Sequence, residues 1–177
     1  RKWIDMGIQP VNLSVNQSKI VFYHENYISE LKSLLKEYDV SASYITLEVL
    51  ESTVIEDFKL FNQILLEVKK LGFSVSLDDF GSGYSSLNVL SKLTIDELKI
   101  DRIFLHIDSD LENKKTKWIL EGIINIAKKS NIRVVVEGVE SSKDDEFIRC
   151  LGANVGQGYY YSRPLSIDAF NDLIHKK

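Results

Sequence analysis

The sequence predicts an α/β fold of parallel strands and alternating helices: a (β/α) barrel that is incomplete at its amino-terminal side, with about six of the usual eight strands. Short runs rich in Val, Ile and Tyr alternate with longer helical stretches, which is typical of right-handed βαβ units and a parallel sheet. Polar residues follow almost every run, and in such barrels the carboxyl ends of the strands surround one mouth.

Six short runs are predicted as strands because they are rich in β-branched and aromatic residues and are too short for helices. The predicted strands are Val11–Val15, Ile45–Leu50, Phe73–Leu77, Glu97–Ile100, Ile132–Val136 and Val155–Tyr161. We expect Val75, Leu77 and Val134 to belong to an apolar interior layer, which two missing strands would leave partly uncovered.

The segments between these runs are predicted as helices from their apolar periodicity. In the first segment one face carries Ile28, Leu31, Leu34 and Leu35. In the fourth segment a similar stripe, in which we expect Trp118 to pack in the core, consists of Trp118, Ile119, Ile123, Ile126 and Ala127. The predicted helices are Glu25–Tyr38, Phe58–Leu71, Leu87–Leu93, Thr116–Ser130, Lys143–Leu151 and Ile167–Ile174.

The composition excludes several classes of protein. The 177 residues carry 22 basic and 26 acidic side chains, a net charge of 22 − 26 = −4, and 44% are hydrophobic, so the chain is neither disordered nor collagen-like. The mild acidity argues against binding to a nucleic-acid polymer. No run reaches the roughly 18 apolar residues of a membrane helix, so we expect no membrane contact. The single cysteine, Cys150, excludes an internal disulfide and favours the reducing cytoplasm.

Carboxylates at several predicted strand ends indicate a metal site. Such a cluster repels itself unless cations neutralise it, and oxygen ligands without Cys or His spacing favour Mg²⁺, Mn²⁺ or Ca²⁺ over zinc. The simpler alternative is that each carboxylate begins a helix in solvent. The residues concerned are Glu51, Asp78, Asp79, Asp101, Glu137 and Glu140, with Asn12, Lys99 and Gln157 as further polar groups.

Asp78 and Asp79 are adjacent, and adjacent residues of a strand point to opposite faces. We therefore expect the strand to end there, so that both side chains face the mouth. Gly81 and Gly83 permit a sharp exit from the strand, but no Gly-Lys-Ser/Thr follows, so the loop is not a P-loop.

The run Ser76–Leu87, SLDDFGSGYSSL, resembles the Asp-Asp-Phe-Gly-Thr/Ser-Gly-Tyr-Ser-Ser signature of the EAL-domain family, the bacterial cyclic di-GMP phosphodiesterases. Further motifs of that family are matched in order between residues 10 and 165. They are Val11–Ser14, Glu48–Ser52, Lys99–Asp101, Val136–Glu140, Gln157–Tyr159 and Ser162–Leu165. The resemblance implies a TIM-like barrel that hydrolyses cyclic di-GMP to the linear dinucleotide.

The resemblance also implies a role for each matched residue. Asn12, Glu51 and Asp78 correspond to ligands of two Mg²⁺ or Mn²⁺ ions, and Asp79 helps to hold the second ion and its water. Ca²⁺ is expected to inhibit by competing without supporting turnover. Lys99 matches a lysine that contacts the nucleophilic water and the phosphate. The remaining implied site residues are Glu137 as base or water partner, Glu140 as supporting carboxylate, and Gln157, Arg163 and Pro164 as substrate and water contacts.

The chain departs from the family pattern in lacking the Glu-Ala-Leu motif, which supplies another metal-binding glutamate. We expect residues 1–177 to be the C-terminal three-quarters of an EAL-type domain, inactive and aggregation-prone or dimeric on their own. The expected partners of the parent are cyclic di-GMP, a second copy of the chain, and attached sensory or GGDEF-type domains. Two other functions stay open: a cyclic di-GMP receptor without hydrolysis, and an unrelated barrel enzyme that acts on enolates with Mg²⁺.

Overall fold

Six parallel strands form one sheet, in which they are hydrogen-bonded in the order in which they follow along the chain. The computed structural model describes residues 1–54, 58–82, 90, 92–105, 110–153 and 155–175. The parallel α/β arrangement predicted from the sequence is confirmed. The strands are β1 (Leu13–Gln17), β2 (Ile45–Leu50), β3 (Ser74–Phe80), β4 (Glu97–Ile100), β5 (Arg133–Glu137) and β6 (Val155–Gln157).

Helices connect the strands. The described helices are α1 (Lys2–Asp5), α2 (Lys19–Phe22), α3 (Tyr27–Tyr38), α4 (Glu51–Val54), α5 (Phe58–Lys70), α6 (Asp110–Lys129), α7 (Ser142–Cys150) and α8 (Ile167–His175), with short 3₁₀ turns at Ala42–Tyr44 and Arg102–Phe104. The predicted helix Leu87–Leu93 lies mostly outside the described residues. Within the part of the chain that is described, none of the helices combines the length and the apolar character needed to cross a membrane.

The predicted bounds of β1, β3, β5 and β6 differ from the observed ones, and the differences in β1 and β6 are the largest in consequence. β1 begins at Leu13 rather than Val11 and pairs Leu13 with Ile45, the first residue of β2. β6 ends at Gln157, because the chain turns at Gly158 and closes over the backbone of Val139. A Cβ at position 158 would collide with the Val139 carbonyl, and the N–H of Tyr160 donates to that same oxygen at 3.0 Å.

The two faces of the sheet differ in chemistry. One face carries apolar side chains that pack with the helices in a single core cluster, which includes Leu47, Val49, Leu77, Leu98 and Val136 from the strands and Phe61, Leu65, Leu120 and Ile148 from the helices. The strand register places polar residues side by side on the other face, among them Glu48, Ser76, Glu97, Lys99, Arg133 and Glu137.

The expected apolar interior layer is therefore wrong. Val75, Leu77 and Val134 are 1%, 0% and 6% exposed, so they are covered rather than open to solvent. They alternate with the polar row, since successive strand residues point to opposite faces, and they belong to the same cluster as the helix side chains. The interior of this barrel is lined with charge and hydroxyl groups.

The expectation that Trp118 packs in the core is also wrong. On α6 the buried residues are Leu120, Ile123, Ile124 and Ala127, whereas Trp118 is 65% exposed and Ile119 is 54% exposed. A helix that packs on a sheet buries one stripe, and here that stripe is centred on Leu120 and Ile124. Trp118 and Ile119 lie outside it and form an apolar patch on the surface.

Candidate active site

A buried lysine stands at the centre of the polar face. The Nζ atom of Lys99 on β4 lies 2.7 Å from Glu137 Oε1, 3.0 Å from Asp78 Oδ1 and 3.1 Å from Glu48 Oε1. The three carboxylates come from β5, β3 and β2, so four adjacent strands each contribute one charged group near their carboxyl ends. A buried lysine is tolerated because its charge is paired and hydrogen-bonded.

Burial disfavours the charged form of Lys99, but the hydrogen bonds and charges of Glu137 and Asp78 outweigh that effect. The pKa of Lys99 therefore lies above its ordinary value, and the ammonium keeps its charge at neutral pH.

Three carboxylates at this end of the sheet converge. Asp78, Asp79 and Glu137 each place one oxygen atom within 4.8 Å of the others. The expectation that β3 ends at the Asp pair is wrong, because β3 continues to Phe80. Instead the register shifts between Leu77 and Phe80, and Asp79 takes a left-handed backbone with φ of 58°.

This local bend lets the adjacent aspartates share one site. The backbone N–H of Asp79 donates to Asp78 Oδ1 at 3.0 Å, which fixes the Asp78 carboxylate against the backbone of Asp79.

Asp79 and Glu137 have pKa values above those of isolated carboxyl groups. Burial, followed by the charges of Asp78 and Asp101, raises the pKa of Asp79. Burial also raises the pKa of Glu137, in spite of the opposing hydrogen bond from Lys99. A divalent cation would relieve this repulsion, and a set of carboxylate oxygens is the donor set that Mg²⁺ and Mn²⁺ prefer. The residues present therefore fit a metal site.

A cavity of about 420 Å³ opens beside the carboxylates. Asp79 and Glu137 line it together with Asp101, Arg102, Gly138, Glu140, Gln157, Gly158 and Tyr159. Gly138 has φ of 72°, and a Cβ there would collide with the side chain of Arg102, so the chain can leave β5 toward Glu140 only through glycine.

Glu140 and Gln157 both reach this cavity. Glu140 is exposed, and its backbone N–H donates to Asp144 Oδ2 at 3.1 Å, within the capping box that begins α7. Gln157, at the end of β6, pairs in register with Glu137. Arg163 lies at the rim, with its guanidinium carbon 4.5 Å from the centroid of the Tyr159 ring, and Pro164 follows it as an exposed residue.

Two of the four predicted metal ligands are not brought into this group. Asn12 precedes β1 and therefore lies at the amino end of the sheet, where its Oδ1 accepts from Thr46 Oγ1 at 2.8 Å. The expectation that Asn12 stands at a carboxyl strand end is wrong. Glu51 is buried as the first residue of α4, one position beyond the strand, and the close group of described carboxylates does not include it.

Sequence reasoning missed two residues that face the site. Glu48 is buried and contacts Lys99, and Asn16 pairs with Glu48 in register on the same face. A sequence pattern could have found Asn16, because Val-Asn-x-Ser occurs twice in succession, at Val11–Ser14 and at Val15–Ser18. Glu48 is a charged residue inside a buried strand, which requires a partner.

Comparisons with known proteins agree with this geometry. The model of the EAL domain family matches residues 1–164. The bifunctional diguanylate cyclase/cyclic di-GMP phosphodiesterase MucR of Pseudomonas aeruginosa is 36% identical over 165 residues, which are 93% of this chain and 24% of MucR. The chain thus spans about a quarter of the length of this curated relative.

Two solved structures extend the comparison. The PaMucR phosphodiesterase in complex with c-di-GMP has a TM-score of 0.85 at 34% identity, covering 96% of this chain and 68% of that chain. The manganese/cy-diGMP complex of Klebsiella pneumoniae BlrP1 has a TM-score of 0.80 at 25% identity, covering 92% of this chain and 41% of that chain. The predicted fold class, a TIM-like barrel that is incomplete at one edge, is confirmed by these likenesses.

Proposed function

The chain belongs to the EAL domain family, and we propose that it forms the larger part of a metal-dependent phosphodiesterase domain that opens cyclic di-GMP to the linear dinucleotide. The observation that carries this proposal is the buried Lys99, held by Glu48, Asp78 and Glu137 beside a mouth that Asp79 also lines. The proposal is supported by the c-di-GMP bound to PaMucR and by the phosphodiesterase name of MucR.

We propose that Asp78 and Asp79 hold divalent cations, as the resemblance implies, and that Glu48 and Asn16 complete the set in place of Glu51 and Asn12. The manganese in the BlrP1 complex supports a divalent metal in this family. When bound, two such cations supply a nucleophile at neutral pH and neutralise charge on the phosphate.

The protein groups have separable tasks in this proposal. Lys99 presents a fixed ammonium that stabilises negative charge as it develops on the phosphate. Glu137 accepts a proton from the attacking water, a task that its raised pKa suits, since a base works best when its pKa approaches the working pH. From the cavity wall, Glu140 acts as a supporting carboxylate and Gln157 contacts the substrate and its water.

The experiment that tests the proposal is a hydrolysis assay on the whole protein with Mg²⁺ or Mn²⁺, in which the linear dinucleotide is separated and quantified. We expect turnover by the natural sequence, loss of turnover in Asp79→Asn, and no change in the control Glu121→Gln, which alters an exposed carboxylate on α6. Binding of cyclic di-GMP without any turnover would support the receptor alternative. If cyclic di-GMP does not bind, both the phosphodiesterase proposal and the receptor alternative are overturned.

We also propose that the protein forms a homodimer through the patch of Trp118, Ile119 and Ile126 on α6. These side chains are 65%, 54% and 41% exposed, and exposed apolar clusters of this kind mark interaction surfaces. Light scattering tests it: Trp118→Ser should give a monomer, whereas a dimeric Trp118→Ser variant would exclude this face.

Attached sensory or GGDEF-type domains complete the proposal for the whole protein. They are supported by MucR, whose name includes a diguanylate cyclase activity. We place the protein in the cytoplasm, where a lone thiol such as Cys150 stays reduced.

A further inference from the structure

The side chain of Tyr161 joins the last strand of the sheet to the helix that precedes that strand. Its hydroxyl donates to Asp145 Oδ1 on α7 at 2.6 Å. Its ring lies against Gly156 on β6, and a Cβ at that position would collide with Tyr161 and with the side chain of Ile148 on α7. Position 156 therefore requires glycine, because Tyr161 fills the space that a side chain would need. We call the contact between Tyr161 and Asp145 the Tyr161 anchor.

The acceptor of this hydrogen bond is itself held in place. Arg149, one helical turn further along α7, donates from Nε to both carboxylate oxygens of Asp145 at 2.9 Å. The Asp145 side chain is 18% exposed, whereas that of Arg149 is 64% exposed. Hydrogen bonds from a hydroxyl to a carboxylate are short and roughly twice as strong as bonds between neutral groups, so the Tyr161 anchor is a strong link between α7 and the end of β6.

Backbone hydrogen bonds connect the anchored turn to the loop that follows β5. The N–H of Val139 donates to the carbonyl of Gln157 at 3.1 Å, and the N–H of Tyr160 donates to the carbonyl of Val139 at 3.0 Å. Gln157 and Glu140, the residue after Val139, both line the cavity at the mouth. The position of Tyr161 is therefore transmitted through the backbone to two side chains of the site.

The end of β6 needs such an anchor, because the strand itself is short. It has three residues, Val155–Gln157, and among the described strands it is bonded to β5 alone. Segments that are held by few backbone hydrogen bonds open at a low free-energy cost. A displacement of about 1 Å at a reacting group can lower a rate by roughly 10²-fold, so a loose β6 would be costly for a residue that acts at its end.

We propose that Tyr161 is a positioning residue for the reaction: its bond to Asp145 fixes the end of β6, so that the Gln157 side chain holds the attacking water in place. This inference rests on the proposed function, in which Gln157 contacts the substrate and its water. Tyr161 is not among the described residues that line the cavity. It acts through Gln157 and not on the nucleotide.

The first test measures kcat and KM for cyclic di-GMP with the whole protein and Mn²⁺. Tyr161→Phe removes the hydroxyl and keeps the ring over Gly156. It should lower kcat by about 10- to 100-fold, the usual loss when a group that orients a site residue is removed, and KM should change little, because the placed water matters most in the transition state. The matched control, Tyr160→Phe, removes a hydroxyl one residue earlier and should leave kcat unchanged.

Two substitutions of Asp145 test the same bond from its other side. Asp145→Ala removes the acceptor and should lower kcat as much as Tyr161→Phe does. Asp145→Asn keeps an acceptor oxygen for the hydroxyl, so its kcat should be closer to that of the natural sequence. An unchanged kcat in both Tyr161→Phe and Asp145→Ala would overturn the positioning role.

A double-mutant cycle tests whether Tyr161 acts through Gln157. In a Gln157→Ala background the group that is positioned is gone, so adding Tyr161→Phe should lower kcat by no more than about twofold, the error of such a cycle. If the two losses multiply in the double variant, the residues act independently and the proposal is wrong.

Hydrogen exchange at the backbone amides of Val139 and Tyr160 provides a measurement that does not depend on turnover. Exchange should be faster in Tyr161→Phe than in the natural sequence, because the turn opens more often. Equal exchange would contradict the anchor, and faster exchange with an unchanged kcat would give the anchor a structural role only. If the natural sequence hydrolyses cyclic di-GMP and Tyr161→Phe is equally fast, the positioning role alone fails. If the natural sequence has no turnover, the proposed function and the positioning role both fail.

Discussion

The Nζ atom of Lys99 lies 2.7 Å from Oε1 of Glu137, and the two side chains rise from the neighbouring strands β4 and β5 on the same face of the sheet. This pair joins the lysine proposed to stabilise the phosphate to the carboxylate proposed to receive the proton. The contact keeps Glu137 in place beside the mouth, and it makes the charge of one group depend on the other.

Replacement of Lys99 by Met should lower kcat by about 10²–10³-fold, the scale of one preorganised donor. The control is Lys117→Met, which removes an exposed charge from α6. The assay is hydrolysis of cyclic di-GMP by the whole protein. Near-normal turnover would remove Lys99 from the mechanism.

The same Lys99→Met variant should also be less stable, by about 3–5 kcal/mol in metal-free buffer, since it leaves buried carboxylates without their cation. Urea unfolding measures this loss. Saturating Mn²⁺ should restore part of it, because a metal ion then supplies the missing positive charge.

Replacement of Asp78 by Asn should abolish metal binding, because the carboxylate is both a proposed ligand and a partner of Lys99. Calorimetric titration with Mn²⁺ provides the measurement, and Asp172→Asn, an exposed change on α8, provides the control. Equal Mn²⁺ affinity in Asp78→Asn and the natural sequence would contradict the assignment.

The two Val-Asn-x-Ser patterns offer two different asparagines as the metal ligand, Asn12 in the first and Asn16 in the second. Asn16→Ala should weaken Mn²⁺ binding by about tenfold or more, because Asn16 is aligned with Glu48 at the site. Asn12→Ala should leave Mn²⁺ binding unchanged and cost about 0.5–1.5 kcal/mol of stability through the lost bond to Thr46. If Asn12→Ala weakens Mn²⁺ binding and Asn16→Ala does not, the ligand is Asn12 instead.

Ca²⁺ should compete with Mn²⁺ for the carboxylates without supporting turnover. It takes more oxygen ligands at longer and more variable distances than Mg²⁺, so it should bind the same groups in a less suitable geometry. Initial rates at fixed Mn²⁺ should fall as Ca²⁺ is added and recover when Mn²⁺ is raised. A rate that Ca²⁺ does not change would exclude competition.

The hydroxyl of Tyr161 should lose its proton at a higher pH than that of an ordinary tyrosine. Partial burial, followed by the hydrogen bond to Asp145, raises its pKa from 10.0 to about 12. Because the folded state holds the proton more tightly, the associated stability is fully present below pH 10.0 and is lost as the pH rises to about 12. The ultraviolet absorbance of tyrosinate measures the titration, and the difference between the natural sequence and Tyr161→Phe should contain a transition near pH 12. A transition in that difference at pH 10.0 would contradict the assigned hydrogen bond.

Most of the architecture could be predicted from the sequence, because the runs of Val and Ile and the polar groups that follow them are local features. The convergence of Asp78, Asp79, Lys99 and Glu137 follows from parallel strands whose carboxyl ends meet at one edge. The bend at Asp79 could not be predicted in this way, since strict alternation of side chains assigns two neighbouring residues to opposite faces.

Other details depended on tertiary contacts. The choice between Asn12 and Asn16 needs the register of β1 against β2, which the doubled motif leaves ambiguous. The exposure of Trp118 depends on which stripe of a long helix meets the sheet. The early end of β6 depends on Gly158 meeting the Val139 backbone, a contact between residues that the chain brings together only after folding.

One face of the sheet is apolar and the other is charged, so a strand that pairs in the wrong register places its side chains on the wrong face. A slip of β4 by one residue would turn Lys99 into the helix layer and expose Leu98 on the charged side, which strongly disfavours the error. A partly folded chain that has packed its helices correctly has therefore already aligned Lys99 with Glu48, Asp78 and Glu137. An error of alignment is disfavoured twice, because apolar contacts are lost and buried charges lose their partners. Selection for a well-packed core therefore also preserves the alignment of the groups that we propose to act in catalysis.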